Sequence, residues 1–154
     1  MITADGPKVE EFNARFGDPE TQVVLPLLDS DIVTVMLACV DGNLAQTEVK
    51  WSDGAAVCVI MASGGYPKSY KKGEPITGLA DAAALGDLVF HAGTARKNGG
   101  IVTNGGRVLG VVAKADDIKA AVVKAYEGID KIHFQAAHYR HDIAHRALER
   151  LSGC

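Results

Sequence analysis

The sequence predicts an α+β fold in which helices pack against a small, mostly antiparallel sheet. Three features support this fold class: apolar runs rich in Val and Ile after residue 48, glycine-rich turns between those runs, and helical spacing of apolar residues on both sides of them. The chain has 154 residues, of which 47% are apolar. It is therefore long and apolar enough to bury a core.

The N-terminal residues are predicted to form a hairpin followed by helices. Residues 1–7 are typical of a hairpin that turns at Asp5-Gly6-Pro7, so residues 1 to 3 would end a strand whose sheet partners are missing. Asp18 is placed to cap a helix, with proline at the first helical position. Pro26 predicts a break into two short helices. The spacing of apolar residues predicts a further helix over residues 31–40.

The later residues are predicted to form the sheet and two closing helices. The expected strands cover residues 55–62, 87–94, 101–103 and 107–113. The expected helices cover residues 116–131 and 142–151. Near residue 47 the sequence changes from helical patterns to strand patterns. This change predicts a boundary between residues 1–47 and a compact α+β domain over residues 48–154.

One predicted strand face near the N-terminus carries three functional groups. Because side chains alternate along a strand, Glu11, Asn13 and Arg15 would project to one side, and Phe12 and Phe16 to the other. Carboxylate and carboxamide oxygens suit Mg²⁺, and a guanidinium matches a carboxylate or phosphoryl group. The pattern fits a site for Mg²⁺ and an anionic ligand. A single strand face is a short signal, however, and by itself the pattern favours an edge strand with one solvated polar face.

Composition and charge exclude several classes of protein. The net charge is −3, and the basic residues are scattered apart from Lys68 and the Lys71-Lys72 pair, which argues against binding to nucleic acid. No apolar run approaches the roughly 18 residues that suggest a membrane span, and the N-terminus has no signal-peptide pattern. We therefore expect a cytoplasmic protein without a nucleic-acid or membrane partner.

Histidines and cysteines are the other candidate metal ligands in the sequence. His138, His141 and His145 lie within eight residues, and the last two would share a helix face, as zinc ligands can. No cysteine is nearby in sequence, so packing and solvation of the imidazoles is the favoured interpretation. The cysteines at positions 39, 58 and 154 have no metal-type spacing and are predicted to be buried free thiols.

The residues from Glu11 to Gln22, Glu-Phe-Asn-Ala-Arg-Phe-Gly-Asp-Pro-Glu-Thr-Gln, resemble the signature segment of the phosphoribosylamine-glycine ligase family of ATP-grasp enzymes. Later stretches resemble the C-terminal part of the same family, at residues 50–58, 62–67, 90–94, 103–109 and 139–148. Several motifs in one order are more specific than any single glycine pair. The resemblance implies that residues 1–47 end an ATP-grasp domain and residues 48–154 form the ligase's C-terminal domain.

The resemblance also implies an activity, the ATP-dependent joining of glycine to 5-phosphoribosylamine through a glycyl phosphate in purine synthesis. Carried over by position, Glu11 and Asn13 would bind Mg²⁺ or Mn²⁺, and Arg15 would stabilise the glycyl phosphate or the transferring group. Gly17 and Asp18 would shape the pocket wall. The lid, the adenine pocket and the amine-binding N-terminal domain of such an enzyme are missing from this sequence, so we expect no turnover by the chain alone.

The glycine-rich turns allow more than one interpretation. The turn over residues 63–67 precedes no helix, so it is neither a Walker loop nor a dinucleotide fingerprint. At Gly105-Gly106-Arg107 the backbone could approach a ligand while Arg107 binds phosphate, or the segment could be a hairpin turn with an exposed arginine. Arg107 is a candidate substrate-binding residue. The resemblance adds interest to His91, Thr94 and Arg107 without fixing their roles.

Two other functions stay open at this point. One is a different ATP-grasp carboxylate-amine ligase, and the other is a free-standing, non-catalytic binding module. A module has no reason to keep a carboxylate, a carboxamide and a guanidinium on one strand face. Glu20 is also open, because a position in the first helical turn explains a glutamate as well as substrate contact does.

Overall fold

The computed structural model describes residues 1–12 and 14–153. Its strands are β1 (Ile2–Thr3), β2 (Gly6–Pro7), β3 (Ala55–Ala62), β4 (Leu88–His91), β5 (Thr94–Lys97), β6 (Gly100–Thr103) and β7 (Arg107–Ala115). Its α-helices are α1 (Thr21–Val24), α2 (Ile32–Val40), α3 (Leu79–Ala84), α4 (Ile118–Ile129) and α5 (His145–Ser152). Short 3-10 helices cover Leu25–Leu27 and Leu44–Gln46. This content confirms the predicted α+β class.

The main sheet has three antiparallel strands in the order β3-β7-β4. Strand β7 lies in the middle, and Val108, Leu109, Val111 and Val112 are each at most 1% exposed. Such a continuous apolar run, without alternation, is typical of a strand covered on both faces. Strands β5 and β6 form a separate antiparallel hairpin, and β1 and β2 form a third small sheet.

One face of the main sheet packs against α4 and forms the core. Val59 lies opposite Val111 and Met61 opposite Leu109, so these side chains point to the same face. They belong to one buried cluster with Ala125 of α4 and other small and aliphatic side chains. Helix α4 begins at Ile118 because the side chain of Asp117 accepts a hydrogen bond from the Ala120 amide at 2.8 Å.

The other face of the sheet lies against the N-terminal helices. Lys114 Nζ donates to the Pro26 carbonyl at 2.9 Å, which fastens the 3-10 helix to β7. Gly110 leaves space on this face, because a Cβ there would lie 3.3 Å from Cys58 Sγ. Burial, with a smaller contribution from the charge of Asp18, raises the pKa of the Cys58 thiol to about 11.

Helix α2 is apolar but mostly uncovered. Among its residues Val33, Leu37 and Val40 are 58%, 56% and 82% exposed, and Ala38 is buried. Cys39 on the same helix is exposed and Cys58 is partly buried, so the prediction of buried thiols is wrong for Cys39. Cys154 lies outside the described residues. None of the helices in the described part of the chain is long and apolar enough to cross a membrane.

The predicted strand over residues 11–16 is wrong. The described residues of this segment form no strand, and Phe12 and Phe16 are 89% and 55% exposed instead of forming a buried apolar face. A strand is stable only where its backbone groups pair with a neighbour. Strand β2 pairs with β1 only at Gly6 and Pro7, so the predicted hairpin is present but does not extend into this segment.

The predicted helix start at Asp18 is also wrong in detail. Helix α1 begins at Thr21, and the side chain of its N-cap residue, Glu20, makes no capping hydrogen bond. The Asp18 carboxylate instead accepts a hydrogen bond from Gln22 Nε2 at 2.9 Å. It also forms an ion pair with Arg107, which is distant in sequence. The break at Pro26 is confirmed, since α1 ends at Val24 and a 3-10 helix follows.

Two elements near the C-terminal half differ from the prediction. Helix α3 has only six residues, Leu79–Ala84, too few to show helical periodicity in the sequence. Helix α5 begins at His145 instead of Asp142. Ala144 has a left-handed backbone with φ of 65°, which interrupts a helix at this point. The Asp142 carboxylate forms an ion pair with Arg140, with 2.6 Å between Oδ2 and Nη2. Hydrogen bonding from Arg140 lowers the pKa of Asp142 to about 2.

Asp87 makes the stability of this domain depend on pH. The residue is 6% exposed, and its Oδ2 atom has no hydrogen-bond partner among the described residues. Burial is the main cause of a raised pKa, with a further rise from Glu127 and an opposing effect of Lys124. The folded state therefore holds this proton more tightly than the unfolded state.

We expect Asp87→Asn to gain stability relative to the wild type as pH rises. Because the pKa of Asp87 is higher in the folded state, its proton stabilises the fold fully when the pH is below roughly 3.9, the pKa of an unfolded aspartate. This stabilisation is lost as the pH rises through the pKa of the folded state. Asparagine cannot lose a proton, so the difference in unfolding free energy should grow from pH 4 to pH 8. Urea unfolding at several pH values measures it. A difference that is constant with pH would contradict the prediction.

Candidate functional site

Residues of the N-terminal segment surround one cleft of about 370 Å³. It is lined by Glu11, Arg15, Gly17, Asp18 and Glu20. Four of the predicted site residues therefore share a cleft although the predicted strand is absent. Of the other two, Asn13 lies outside the described residues, and Arg107 does not line the cleft.

The cleft is shaped by a tight connection into α1. The Gly17 carbonyl accepts hydrogen bonds from the backbone amide of Thr21, at 3.1 Å, and from its hydroxyl. A Cβ on Gly17 would lie 2.5 Å from Glu20 Oε2, so the glycine makes room for that carboxylate. Arg15 Nη1 donates to the Phe16 carbonyl at 3.1 Å.

The lining of the cleft combines one guanidinium with three carboxylates. Arg15 is a permanent cation that suits a phosphoryl or carboxylate group. The carboxylates of Glu11, Asp18 and Glu20 supply the hard oxygen ligands that Mg²⁺ takes, usually together with phosphate oxygens. Each carboxylate is of the ligand type that a divalent cation takes, but no three of the described His, Cys, Asp or Glu side chains are placed to hold a metal ion. Glu20 joins the cleft and does not cap α1 through its side chain.

Arg107 reaches the same region from the start of β7. Its Nη2 atom lies 2.8 Å from Asp18 Oδ2, a contact across 89 residues of sequence. The Arg107 side chain is 44% exposed and that of Asp18 is 57% exposed. Arg107 is not among the residues that line the cleft, but its ion pair joins it to a residue that does.

Three glycine-rich turns interlock at the end of the main sheet where β3 and β4 finish and β7 starts. The Ser63 amide donates to the Gly106 carbonyl, and the Ser63 hydroxyl donates to the Gly105 carbonyl, both at 2.8 Å. The Asn104 amide donates to the Gly93 carbonyl at 2.7 Å. The turns that contain Ser63, Gly93 and Gly105 are far apart in sequence, but together they form one surface. This surface lies next to Asp18, which pairs with Arg107.

The glycines of these turns are needed for packing. A Cβ on Gly93 would lie 2.5 Å from the Cα atom of Gly105, and a Cβ on Gly106 would lie 2.1 Å from the Tyr66 ring. The close approach that the sequence suggested at Gly105-Gly106 is therefore filled by the protein's own turns and by Tyr66. The arginine that follows is exposed, as the hairpin alternative expected, and it is ion-paired.

His91 and Thr94 contact each other. His91 Nδ1 lies 3.0 Å from Thr94 Oγ1, and both residues line a cleft of about 270 Å³ together with Arg96. Both side chains are solvent-accessible. Neither residue lines the cleft of Arg15.

A larger cleft of about 450 Å³ was not found from the sequence. Its polar lining includes Ser63, Tyr70, Lys71, Glu74 and Gln135. These residues belong to three separate segments of the chain and share no motif. Only the tertiary fold brings them together, so no local pattern could have indicated this cleft.

The three histidines near the C-terminus lie in different surroundings. His138 pairs through its backbone with Ala62, the His141 ring lies 4.7 Å from the Tyr139 ring, and His145 Nδ1 lies 2.9 Å from the Asp142 carbonyl. Across residues 1–12 and 14–153, no group of three or more His, Cys, Asp or Glu side chains is placed to hold a metal ion. The structure gives the zinc alternative no support.

Comparison with known proteins gives consistent matches. The family described as "Phosphoribosylglycinamide synthetase, C domain" matches residues 56–146. The phosphoribosylamine-glycine ligase of Synechocystis sp. is 54% identical over 150 residues, which are 96% of this chain and 36% of the relative. The trifunctional purine biosynthetic protein adenosine-3 of Gallus gallus is 54% identical over 153 residues, which are 99% of this chain and 15% of the relative.

A solved structure resembles most of the chain. The crystal structure of phosphoribosylamine-glycine ligase from Thermotoga maritima matches with a TM-score of 0.74 and 37% identity, and covers 94% of this chain and 35% of that one. The present chain therefore spans about a third of the length of the ligases that it matches. The Gallus gallus match spans 99% of the chain, so it includes the N-terminal cleft as well as the sheet.

Proposed function

Because the chain belongs to the phosphoribosylglycinamide synthetase family, through its C domain, we propose that it is the C-terminal part of a ligase that joins glycine to 5-phosphoribosylamine at the expense of ATP. The observation that carries this proposal is the match over 96% of the chain to a ligase nearly three times its length. Residues 1–47 would end the ATP-grasp domain, and residues 48–154 would form the C-terminal domain. The start of the family match at residue 56 supports that division.

The proposed chemistry needs a place where charge on phosphate is neutralised. Phosphoryl transfer from ATP to the glycine carboxylate depends mainly on positioning and on electrostatic stabilisation. Arg15 is proposed to stabilise the transferring group or the glycyl phosphate, and Gly17 and Asp18 to form the pocket wall. The cleft that these residues line supports their common role.

A divalent cation is proposed at the same place. Glu11 and Asn13 would hold Mg²⁺ or Mn²⁺, which would neutralise phosphate charge during the transfer. Glu11 lines the cleft and would supply a carboxylate oxygen there. Two ligands leave most of an octahedral shell to phosphate oxygens, water and a further carboxylate from the rest of the ligase.

Activity is proposed to need the rest of the ligase. The chain spans 36% of the Synechocystis relative, and an ATP-grasp site holds its nucleotide between two lobes. ATP, glycine and 5-phosphoribosylamine would therefore meet only where this chain is joined to the N-terminal and lid domains. We expect the purified chain to form no ADP from ATP, with or without glycine.

The proposal is tested by glycine-dependent ADP formation in the complete ligase that contains this chain. We expect continuous ADP formation only with glycine, 5-phosphoribosylamine and Mg²⁺ together. Asn13→Ala should reduce its rate and raise the Mg²⁺ concentration that is required. Hydrolysis that depends on another amino acid would favour a different ATP-grasp carboxylate-amine ligase. Ligand binding by the chain that Asn13→Ala leaves unchanged would favour a non-catalytic module.

A further inference from the structure

We propose that Arg107 is a positioning residue, which holds Asp18 and thereby fixes the loop of Arg15 and Gly17 over the end of the main sheet. The proposal rests on the proposed function, because the loop matters as part of the ligase site. It differs from direct substrate binding by Arg107. The interlocked glycine turns then serve as the base that places this arginine.

The backbone of Arg107 is anchored on two sides. Its carbonyl accepts a hydrogen bond from the Gly93 amide at 2.9 Å. The preceding residue, Gly106, is held by the Ser63 amide and lies under the Tyr66 ring. Gly106 and Leu109 are buried, so β7 begins from a fixed position. The guanidinium therefore extends from a rigid base.

The loop at the other end of the ion pair has little regular structure of its own. Residues 8–12 and 14–20 belong to no helix or strand. Asp18 lies between this loop and the sheet, since it accepts from Gln22 Nε2 and its charge also raises the pKa of Cys58 on β3. The pair with Arg107 therefore joins an irregular segment to the sheet, one residue from Gly17.

The expected consequence is local. An exposed ion pair contributes little to global stability, and the Arg107 and Asp18 side chains are 44% and 57% exposed. The catalytic rate is far more sensitive to the geometry of the site, because a displacement of a catalytic group by about 1 Å can lower the rate roughly a hundredfold. Loss of Arg107 should therefore change the geometry of the cleft without unfolding the domain.

The test uses the complete ligase and a double-mutant cycle. Arg107→Gln should lower kcat by about 10- to 100-fold, leave the KM for each substrate within about twofold, and leave the unfolding midpoint unchanged. In an Asp18→Asn background the same change should cost less than about twofold, because the contact is already lost. Arg107→Lys should recover most of the rate. Arg96→Gln, on β5, is the matched control and should have no effect.

Three results of the cycle would overturn the proposal. They are an unchanged kcat in Arg107→Gln, full additivity with Asp18→Asn, and a raised KM for 5-phosphoribosylamine at constant kcat. The last of these would indicate that Arg107 contacts substrate directly. Each of these results can be interpreted only if the complete ligase is active. A second measurement on the chain itself therefore tests this proposal independently of the proposed function.

The second measurement is the mobility of the loop in the chain itself. Backbone ¹⁵N relaxation should give order parameters near 0.85 for residues 15–18 in the wild type and below about 0.6 in Arg107→Gln. Arg96→Gln should match the wild type. A loop that is equally ordered in all three proteins would overturn the positioning role even if the ligase activity is as proposed. If the loop loses order in Arg107→Gln but the complete protein has no ligase activity, only the proposed function is contradicted.

Discussion

Replacing Arg15 with glutamine in the complete ligase is expected to lower kcat by about a thousandfold. The guanidinium lines the cleft with the carboxylates of Glu11 and Asp18, and Arg15 is the only basic residue among the described residues of that lining. A permanent positive charge is most valuable where negative charge spreads over the transferring phosphoryl group. Glutamine keeps hydrogen-bonding capacity but removes the charge, so the loss should be largest in the transition state.

Steady-state kinetics distinguish this expectation from general damage. Arg146→Gln on α5 is the matched control, since Arg146 is exposed and lies in none of the clefts described above. It should retain activity within about twofold. An equal fall in kcat and kcat/KM would agree with a transition-state role. If Arg15→Gln raised only the KM for one substrate, Arg15 would be a binding residue and the assigned role would be wrong.

Gly78→Ala is expected to destabilise the domain by about 3–5 kcal/mol. Gly78 has φ of 80°, and a Cβ there would lie 1.7 Å from the Lys131 carbonyl oxygen. That contact is with backbone, which cannot rotate away as a side chain can. The neighbouring residue Thr77 exchanges backbone hydrogen bonds with His133 at 2.9 and 3.1 Å, so relief of the clash would break the connection between these segments.

Gly42→Ala provides the matched control for this effect. Gly42 also has a left-handed backbone, with φ of 70°, but a Cβ there would meet nothing within 4 Å. Its replacement should cost about 1 kcal/mol, the ordinary penalty for a side chain in this conformation. Urea unfolding of both variants compares the two costs directly. Equal losses would show that backbone conformation, and not the contact with Lys131, limits the first position.

Elements with strong local patterns were predicted well. The continuous apolar run of β3 was placed at residues 55–62, where the structure has it, and β7 was placed within two residues of its end. Helix α4 was placed to within two residues at each end, because an apolar stripe is a local property of the sequence. The proline break after α1 was predicted for a similarly local reason.

Features that depend on distant partners were predicted poorly. The alternation at residues 11–16 matches a strand, but a strand needs a neighbour for its backbone groups, and the described residues supply none there. Asp18 has the sequence context of a helix cap, yet a guanidinium 89 residues away takes its carboxylate. The roles expected of Glu11, Asn13, Arg15 and Gly17 stay predictions.

The sequence by itself determined the α+β class, the longer strands and helices of the core, and the residue types of the candidate site. These follow from periodicity and from the chemistry of single side chains, which act over a few residues. Only the tertiary structure decided that three glycine-rich turns interlock and that Arg107 reaches Asp18. Such contacts depend on how the strands are ordered and paired, because the sheet sets which distant residues meet at its end.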